Sequence, residues 1–307
     1  MRTSIATIVA AVMAVPTFSN AFSIQTTEMP RSSTILRMSS VAVSPIGSSK
    51  ATQLKTALKK PSKVLTVGVE YVHNDEAEEN EILSMQLRKS KVSSIWCSNI
   101  DDVSNFAKEQ ETAKGNFPGP CPVIYDAKIE SNDDIQSAVT AGATAITVDA
   151  NTIETITSIW NEEVPLEIIW KIANDQDVEK VSEVTGGDLA DAAFLIQGDM
   201  ASDDIEAISS ALPKSSLLIA SVDPMQSDGN EVSQGKQLKA LGVASILVNE
   251  ACVGDAEDME YSRFLVEGLT SKASSEFKFS GLTGSTNGHF GGVQSNGTVK
   301  WRRGGES

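Results

Sequence analysis

The sequence predicts an α/β protein whose main domain, residues 51–278, is a (β/α)8 TIM barrel. Eight apolar, strand-like runs follow one another between residues 63 and 251, and amphipathic, helix-like stretches separate them. No Gly-x-Gly-x-x-Gly turn follows the first run. A doubly wound open sheet also alternates strands and helices, but the strand count and the missing glycine turn favour the barrel.

The eight runs are rich in Val, Ile and Leu, as expected of strands buried on both faces. They are KVLTVGVEYV, SSIWCSN, CPVIYDAKI, ATAITVDA, LEIIWKIA, AAFLIQGD, SLLIASVD and ASILVNEA. Between them, residues 132–142 (NDDIQSAVTAG) have an Asn/Asp cap, apolar residues three or four apart, and a closing Gly142, which together indicate a helix. Residues 175–187 and 234–242 have the same character.

The charge of the chain excludes two classes of partner. Residues 1–60 carry a formal charge of +6. Because the whole chain carries −16, residues 61–307 carry −22. A body this acidic repels nucleic acid and anionic membranes, so we expect neither as a partner. The three cysteines, Cys97, Cys121 and Cys252, fit neither a disulfide framework nor a Cys-x-x-Cys metal site. Buried, reduced thiols are expected, with no metal and no cofactor.

The N-terminal segment, residues 1–50, is predicted to be a targeting presequence rather than part of the folded domain. Arg2 precedes the apolar run IATIVAAVMAV, which has the length of a signal-peptide core. A segment rich in Ser, Thr and Arg follows, and Phe22 stands at its beginning. This arrangement resembles the bipartite presequence of algae with complex plastids, which implies a soluble protein of the plastid (chloroplast) stroma. Simple secretion is the alternative.

Polar residues close the strand-like runs at the ends where (β/α)8 barrels carry their chemistry. In the stretch PVIYDAKIES, Asp126 and Lys128 are two residues apart, so on a continuous strand they would face the same way. Charges that end a strand can equally be solvated loop entries. The residues that close the runs are Glu70, Asp126, Lys128, Asp149, Lys171, Gln197, Asp199, Ser221, Asp223, Asn249 and Glu250.

Three segments resemble indole-3-glycerol-phosphate synthase, a ribulose-phosphate-binding barrel of tryptophan biosynthesis. PVIYDAKIESNDDIQSAVTAGATAITV is similar to that family's third strand, helix and fourth strand. LKALGVASILVNEACV and IIWKIANDQDVEKV are similar to its eighth and fifth strands with their neighbouring helices. The resemblance covers about Pro61 to Thr270. It implies a barrel that binds a phosphorylated substrate at the mouth and acts as a carboxy-lyase.

The residues at the family's active positions differ. Asp126 stands where the family has its general-acid Lys, and Lys171 stands where it has a Glu. Glu70 falls on a first-strand Glu or Lys position, and only Glu250 is clearly retained. A carboxylate cannot protonate a substrate at neutral pH unless its pKa is raised by several units. Side chains also replace the glycines of the phosphate cradle, where Asp223 and Asn249 now stand.

These exchanges leave two interpretations. Glu70, Asp126 and Lys171 are candidate catalytic residues of a new site, with Lys171 as nucleophile or acid and a carboxylate as base. They are alternatively a charge-swapped network that serves only stability. Candidate substrate-binding residues are Lys128, Gln197, Ser221, Asn249 and Glu250.

The C-terminal tail, residues 279–307, is rich in glycine and has no packed-strand or helix pattern. It is a solubilising tail or a short protein-binding motif, with Phe290 or Trp301 as apolar anchor and Arg302 and Arg303 facing an acidic partner. We therefore expect a plastid, synthase-like barrel that has lost the parent lyase activity and acts through binding. The alternative is an active, divergent synthase, or a barrel enzyme with altered chemistry that uses Lys171 with Asp126 or Glu70.

Overall fold

The computed structural model describes residues 51–61, 64–74, 80–160, 164–224, 230–254 and 258–270. The predicted presequence (residues 1–50), the predicted tail (279–307) and the last residues of the predicted barrel domain lie outside the described residues. Within the described ranges, no helix combines the length and apolar character needed to cross a lipid bilayer.

Eight parallel strands close into a barrel, in which each strand pairs with the next along the chain and the last pairs with the first. Each strand lies within one of the eight apolar runs or extends at most one residue beyond it. The TIM-barrel prediction is therefore confirmed and the open sheet is excluded. The strands are β1 (Thr66–Tyr71), β2 (Ser94–Cys97), β3 (Val123–Tyr125), β4 (Ala145–Asp149), β5 (Glu167–Lys171), β6 (Ala193–Gln197), β7 (Leu217–Val222) and β8 (Ser245–Cys252).

One helix precedes the barrel and one follows each strand. The helices are α1 (Thr52–Leu58), α2 (Asn80–Lys89), α3 (Ile100–Thr112), α4 (Asn132–Ala141), α5 (Ile153–Ile159), α6 (Asp175–Val184), α7 (Ser202–Ala211), α8 (Asn230–Ala240) and α9 (Asp258–Thr270). Gly142 ends α4 with φ of 84°, as its sequence predicts. The N-terminal cap is Ser131, which forms a capping box with Asp134. Helix α8 begins four residues before the predicted stretch, which matters for the site.

The strands alternate between two apolar layers. One set of side chains points outward and packs under the helices, as Val67, Ile95 and Phe194 do. The other set points inward and fills the barrel, with Trp96, Ile169 and Leu247 among the largest. Because inward positions recur every second residue, the last inward residue of each strand lies at the carboxyl-end mouth of the barrel. All three cysteines are buried free thiols, as predicted.

Trp96 is the largest side chain inside the barrel, and no part of it reaches solvent. Its indole N–H donates to Ser94 Oγ at 2.9 Å. The neighbouring strand makes room with a glycine, because a Cβ on Gly68 would lie 2.5 Å from Ser94 Oγ and 2.8 Å from Trp96 Nε1. Trp96 and Gly68 therefore form a matched pair in the interior.

Helix α1 closes the end of the barrel opposite the mouth. Leu54 and Leu58, one helical turn apart, are fully buried against the inward side chains. The Glu167 carboxylate, at the start of β5, accepts hydrogen bonds from the backbone N–H groups of Gln53 at 2.7 Å and Leu54 at 2.9 Å. These bonds satisfy N–H groups that a helix start leaves without intrahelical partners. Helix α1 therefore covers the apolar interior at this end of the barrel.

Candidate functional site

The mouth of the barrel holds a cavity of about 760 Å³. Seven of the eight predicted site residues line it, because each is at or just beyond the last inward position of its strand. They are Glu70, Asp126, Lys171, Gln197, Ser221, Asn249 and Glu250. Leu195 and Leu247 lie below them as part of the apolar floor.

Lys171 and Asp126 form an ion pair at the centre of the mouth. Asp126 comes one residue after β3, where its backbone N–H donates to Cys97 O at 2.8 Å and holds it in line with the sheet. The Lys171 ammonium, at the end of β5, contacts Asp126 Oδ1. The hydroxyl of Thr147 donates to the same oxygen at 2.6 Å. The Asp126 side chain is 13% exposed and that of Lys171 is 41% exposed. The carboxylate is therefore the more buried partner, and the lysine side chain is the more accessible to solvent.

Glu70 lies on the first strand and is tied to the eighth. Its Oε2 accepts the backbone N–H of Glu250 at 3.0 Å. Glu250 has a φ of +45°, and the pairing of β1 with β8 shifts register beside it, which marks a bulge. Burial raises the pKa of the Glu70 carboxyl; the Glu250 N–H lowers it, and the negative charges of Asp126 and Glu250 add to the increase. The positive charge of Lys171 opposes this increase, and in balance Glu70 keeps its proton to a higher pH than an exposed glutamate does.

The mouth is strongly acidic. Among the described residues that line it, Lys171 is the one basic side chain, and it faces six carboxyl groups. These belong to Glu70, Asp126, Asp149, Asp177, Asp223 and Glu250. Over the described ranges as a whole, no three His, Cys, Asp or Glu side chains are grouped as metal ligands.

A smaller pocket of about 210 Å³ opens beside the mouth, and we call it the side pocket. It lies between the ends of β6 and β7 and the first turn of α8. Its walls include the predicted residues Gln197, Ser221 and Asn249. In barrels that bind phosphate, the loops after the seventh and eighth strands commonly form the phosphate site. Here Asn249 Nδ2 donates to Asp223 Oδ1 at 3.2 Å, which places a carboxylate in that region.

Lys128 is the one predicted site residue that does not line the mouth. Strand β3 ends at Tyr125, so Lys128 does not share a strand face with Asp126 as a longer strand would require. Its ammonium instead pairs with Glu130 at 2.5 Å, and 75% of its side chain is exposed. Lys128 therefore does not line the mouth with Asp126, and Lys171 is the basic residue that contacts Asp126.

The polar residues of the site that were not predicted include Thr147, Asn151, Asp177 and Glu231. Thr147 lies in the middle of β4 and gives no sequence signal except its inward register with Asp149. Asn151 and Asp177 reach the mouth from the loop after β4 and the start of α6. Glu231 lines the side pocket because α8 begins earlier than its apolar pattern indicates.

The Glu70→Gln variant is expected to gain stability relative to the native chain as pH rises. A carboxyl whose pKa in the folded protein is above its ordinary value of 4.5 binds its proton more tightly in the fold than in the unfolded chain. Its contribution to stability is present at low pH and is lost as pH rises through the raised pKa. Glutamine keeps an acceptor for the Glu250 N–H and removes this loss. Urea unfolding at several pH values, with exposed Glu154→Gln as control, measures the difference; equal pH profiles for both variants contradict it.

No protein-family model matches this chain, and no curated protein matches it. Among solved structures, its fold is similar to that of a proposed fructose-1,6-biphosphate aldolase from Coccidioides immitis, with a TM-score of 0.49 and 13% sequence identity. The match covers 75% of this chain and 99% of that one. We draw nothing about chemistry from this likeness. The closed ring of eight strands establishes by itself that the chain is a (β/α)8 barrel.

Proposed function

We propose that this chain is a plastid barrel, derived from an indole-3-glycerol-phosphate-synthase-like ancestor, that has lost the lyase activity and works by binding a ligand at its mouth. The Lys171–Asp126 ion pair carries this proposal. The one basic side chain among the described lining residues already has a carboxylate partner. A phosphorylated substrate would therefore meet mainly negative charge, and each such contact is repulsive.

The chemistry of the positions also supports lost lyase activity. The parent reaction uses a Lys as general acid, and Asp126 occupies that position in the resemblance. Thr147 donates to Asp126 Oδ1 and the Lys171 ammonium contacts the same oxygen, so this side chain is already engaged by two neighbours within the protein. We place the protein in the plastid stroma on the character of residues 1–50. We also propose a protein partner for the tail through Phe290, Trp301, Arg302 and Arg303.

A barrel enzyme with altered chemistry is the second candidate, and one observation favours it. Glu70, whose pKa is raised chiefly by burial, lies in the same cavity as the Lys171 ammonium. An acid with a raised pKa beside an amine is an arrangement that catalytic sites use. In that case Lys171 is the nucleophile or acid, with Glu70 or Asp126 as the base.

An assay of indole-ring formation with the full-length chain tests whether the protein is an active synthase, which both candidates above exclude. We expect no indole above the enzyme-free background, with either the native chain or Lys171→Ala. We also expect no binding of inorganic phosphate or a phosphosugar by calorimetry. Turnover that Lys171→Ala abolishes, rescue of a tryptophan auxotroph, or an ordered phosphate beside Ser221 and Asn249 would overturn the proposal.

A further inference from the structure

The side pocket is built from three elements that meet beside the mouth. Its walls are the end of β6 with Gly198 and Asp199, the end of β7 with Ser221 to Pro224, and the first turn of α8. Gln234 of α8 donates through Nε2 to Gly198 O at 2.7 Å and fixes the helix against β6. A Cβ on Gly198 would lie 2.4 Å from Ser221 O, so the two strand ends are also in close contact. The pocket is thus a formed feature.

Glu231 is the unusual residue of this pocket. It is 1% exposed, and its Oε1 accepts a hydrogen bond from the Tyr261 hydroxyl at 3.4 Å. Its Oε2 is buried and has no hydrogen-bond partner. A buried carboxyl oxygen without a donor is destabilising, because nothing replaces the hydrogen bonds that it makes to water in the unfolded chain. Burial raises the pKa of Glu231, against the opposing effect of its own backbone N–H and of Tyr261.

A structural role at the helix start does not account for this burial. Glutamate is favoured in the first turn of a helix because it faces the positive end of the helix dipole. An exposed carboxylate gains that stabilisation without the cost of desolvation, and Asp203 and Asp204 at the start of α7 are exposed in this way. Glu231 instead has a desolvated oxygen beside a cavity, so a donor from outside the chain would satisfy it.

The other polar groups of the pocket are mostly acceptors as well. Asp199 and Asp223 add two carboxylates, and no Lys, Arg or His is among the described lining residues. The Asn249 and Gln234 amides each donate to a protein oxygen, and the Ser221 hydroxyl donates to Ile196 O at 3.3 Å. The Gln197 amide also lines the pocket, so the neutral side chains offer both donors and acceptors, but every charged group among the described lining residues is a carboxylate. Such a pocket favours a positively charged group with several donors and no acceptor. Ammonium and guanidinium groups have this property.

We propose that the side pocket binds the ammonium or guanidinium end of an organic amine, with Glu231 and Asp223 as its acceptors. This inference rests on the proposed function, namely binding at the mouth, and gives that ligand its chemical class. The rest of the amine lies in the larger cavity, whose carboxylates also favour a cation. A pocket of about 210 Å³ is large enough for a charged group and its first methylenes.

Calorimetry with the full-length chain tests the assignment, with putrescine and agmatine as probes. Both amines are expected to bind, and Glu231→Gln should weaken them roughly 10- to 100-fold, the effect of losing a hydrogen bond to a charged group. Glu206→Gln is the matched control, because it removes the same charge from an exposed position on α7 and should leave affinity unchanged. Butanediol, a neutral analogue of putrescine, should not bind.

Several results would overturn the proposal. Amines that fail to bind, or that bind Glu231→Gln as well as the native chain, contradict it. Tetramethylammonium, which has the charge but no N–H donor, separates a built site from general attraction to an acidic protein; equal affinity for it, or for Mg²⁺, contradicts the assignment.

A second variant keeps the test decisive if Glu231→Gln does not fold. Asp223 is the other proposed acceptor and is exposed, and Asp223→Asn should weaken the amines about two- to fivefold. An unchanged affinity then refutes the proposal. The indole and phosphate experiments test the loss of lyase activity separately, so either conclusion can fail without the other.

Discussion

Replacing Trp96 by alanine is expected to lower the free energy of unfolding by about 3–5 kcal/mol, the range for deleting a large aromatic side chain from a core. The indole is fully buried in the barrel interior, where eight strand backbones surround it. Such a closed ring cannot collapse into the space that the indole leaves, so the cavity persists. Ser94 Oγ also loses its donor. Urea unfolding at neutral pH measures the loss.

Trp160→Ala serves as the control for this prediction. Trp160 ends helix α5 and is only half-buried, so its removal leaves a cleft that water can fill. The loss should be less than half of that for Trp96→Ala. Similar losses for the two variants would show that the barrel interior is not the tightly filled core that the Gly68 contact indicates.

The second large effect is expected for Lys171→Met, which keeps the length of the side chain and removes its charge. Asp126 would then retain the Thr147 hydroxyl but lose its counter-ion, while Glu70 and Glu250 remain nearby. Breaking a fully buried pair costs several kcal/mol. Because the Lys171 side chain is 41% exposed, we expect a smaller loss of about 1–3 kcal/mol.

The double variant Lys171→Met with Asp126→Asn tests the cause of that loss. If the cost comes from an unpaired carboxylate, the neutral asparagine should restore most of the stability and the two changes should be strongly non-additive. Chemical denaturation of the two single variants and the double variant completes the cycle. Additive losses would mean that the ion pair is not the source of the effect.

The fold could be predicted from the sequence because its signals are local. Each strand lies in an apolar run bounded by turn residues, and the sequence of α4 shows both the polar residues that cap its start and the glycine that ends it. The mouth residues followed from one further rule, that the last inward residue of a barrel strand faces the active end. Seven of eight predicted positions line the cavity for that reason.

The remaining features depend on non-local contacts. The run that contains β3 reads as a strand of nine residues, yet β3 spans only Val123–Tyr125, and of these Ile124 and Tyr125 pair with both neighbouring strands. Nothing in that run indicates that Lys128 leaves the sheet, or that the partner of Asp126 comes from β5. Glu231 is similar, because its burial depends on Tyr261 in a different helix. Helix α1 was missed since seven residues with two leucines are too short a pattern.

Helix α1 sets a limit on how far the chain can be shortened from its N-terminus. Ala51 is fully buried, and its backbone N–H donates at 3.0 Å to the carbonyl oxygen of Asp191, which lies just before β6. A truncation that ends before Ala51 leaves these contacts of α1 intact. A cut only one helical turn later would release Leu54 and the N–H groups that Glu167 holds, and would uncover the apolar end of the barrel. A functional truncation from the N-terminus must therefore keep Ala51 and the whole of α1, because a shorter chain exposes apolar surface that favours aggregation.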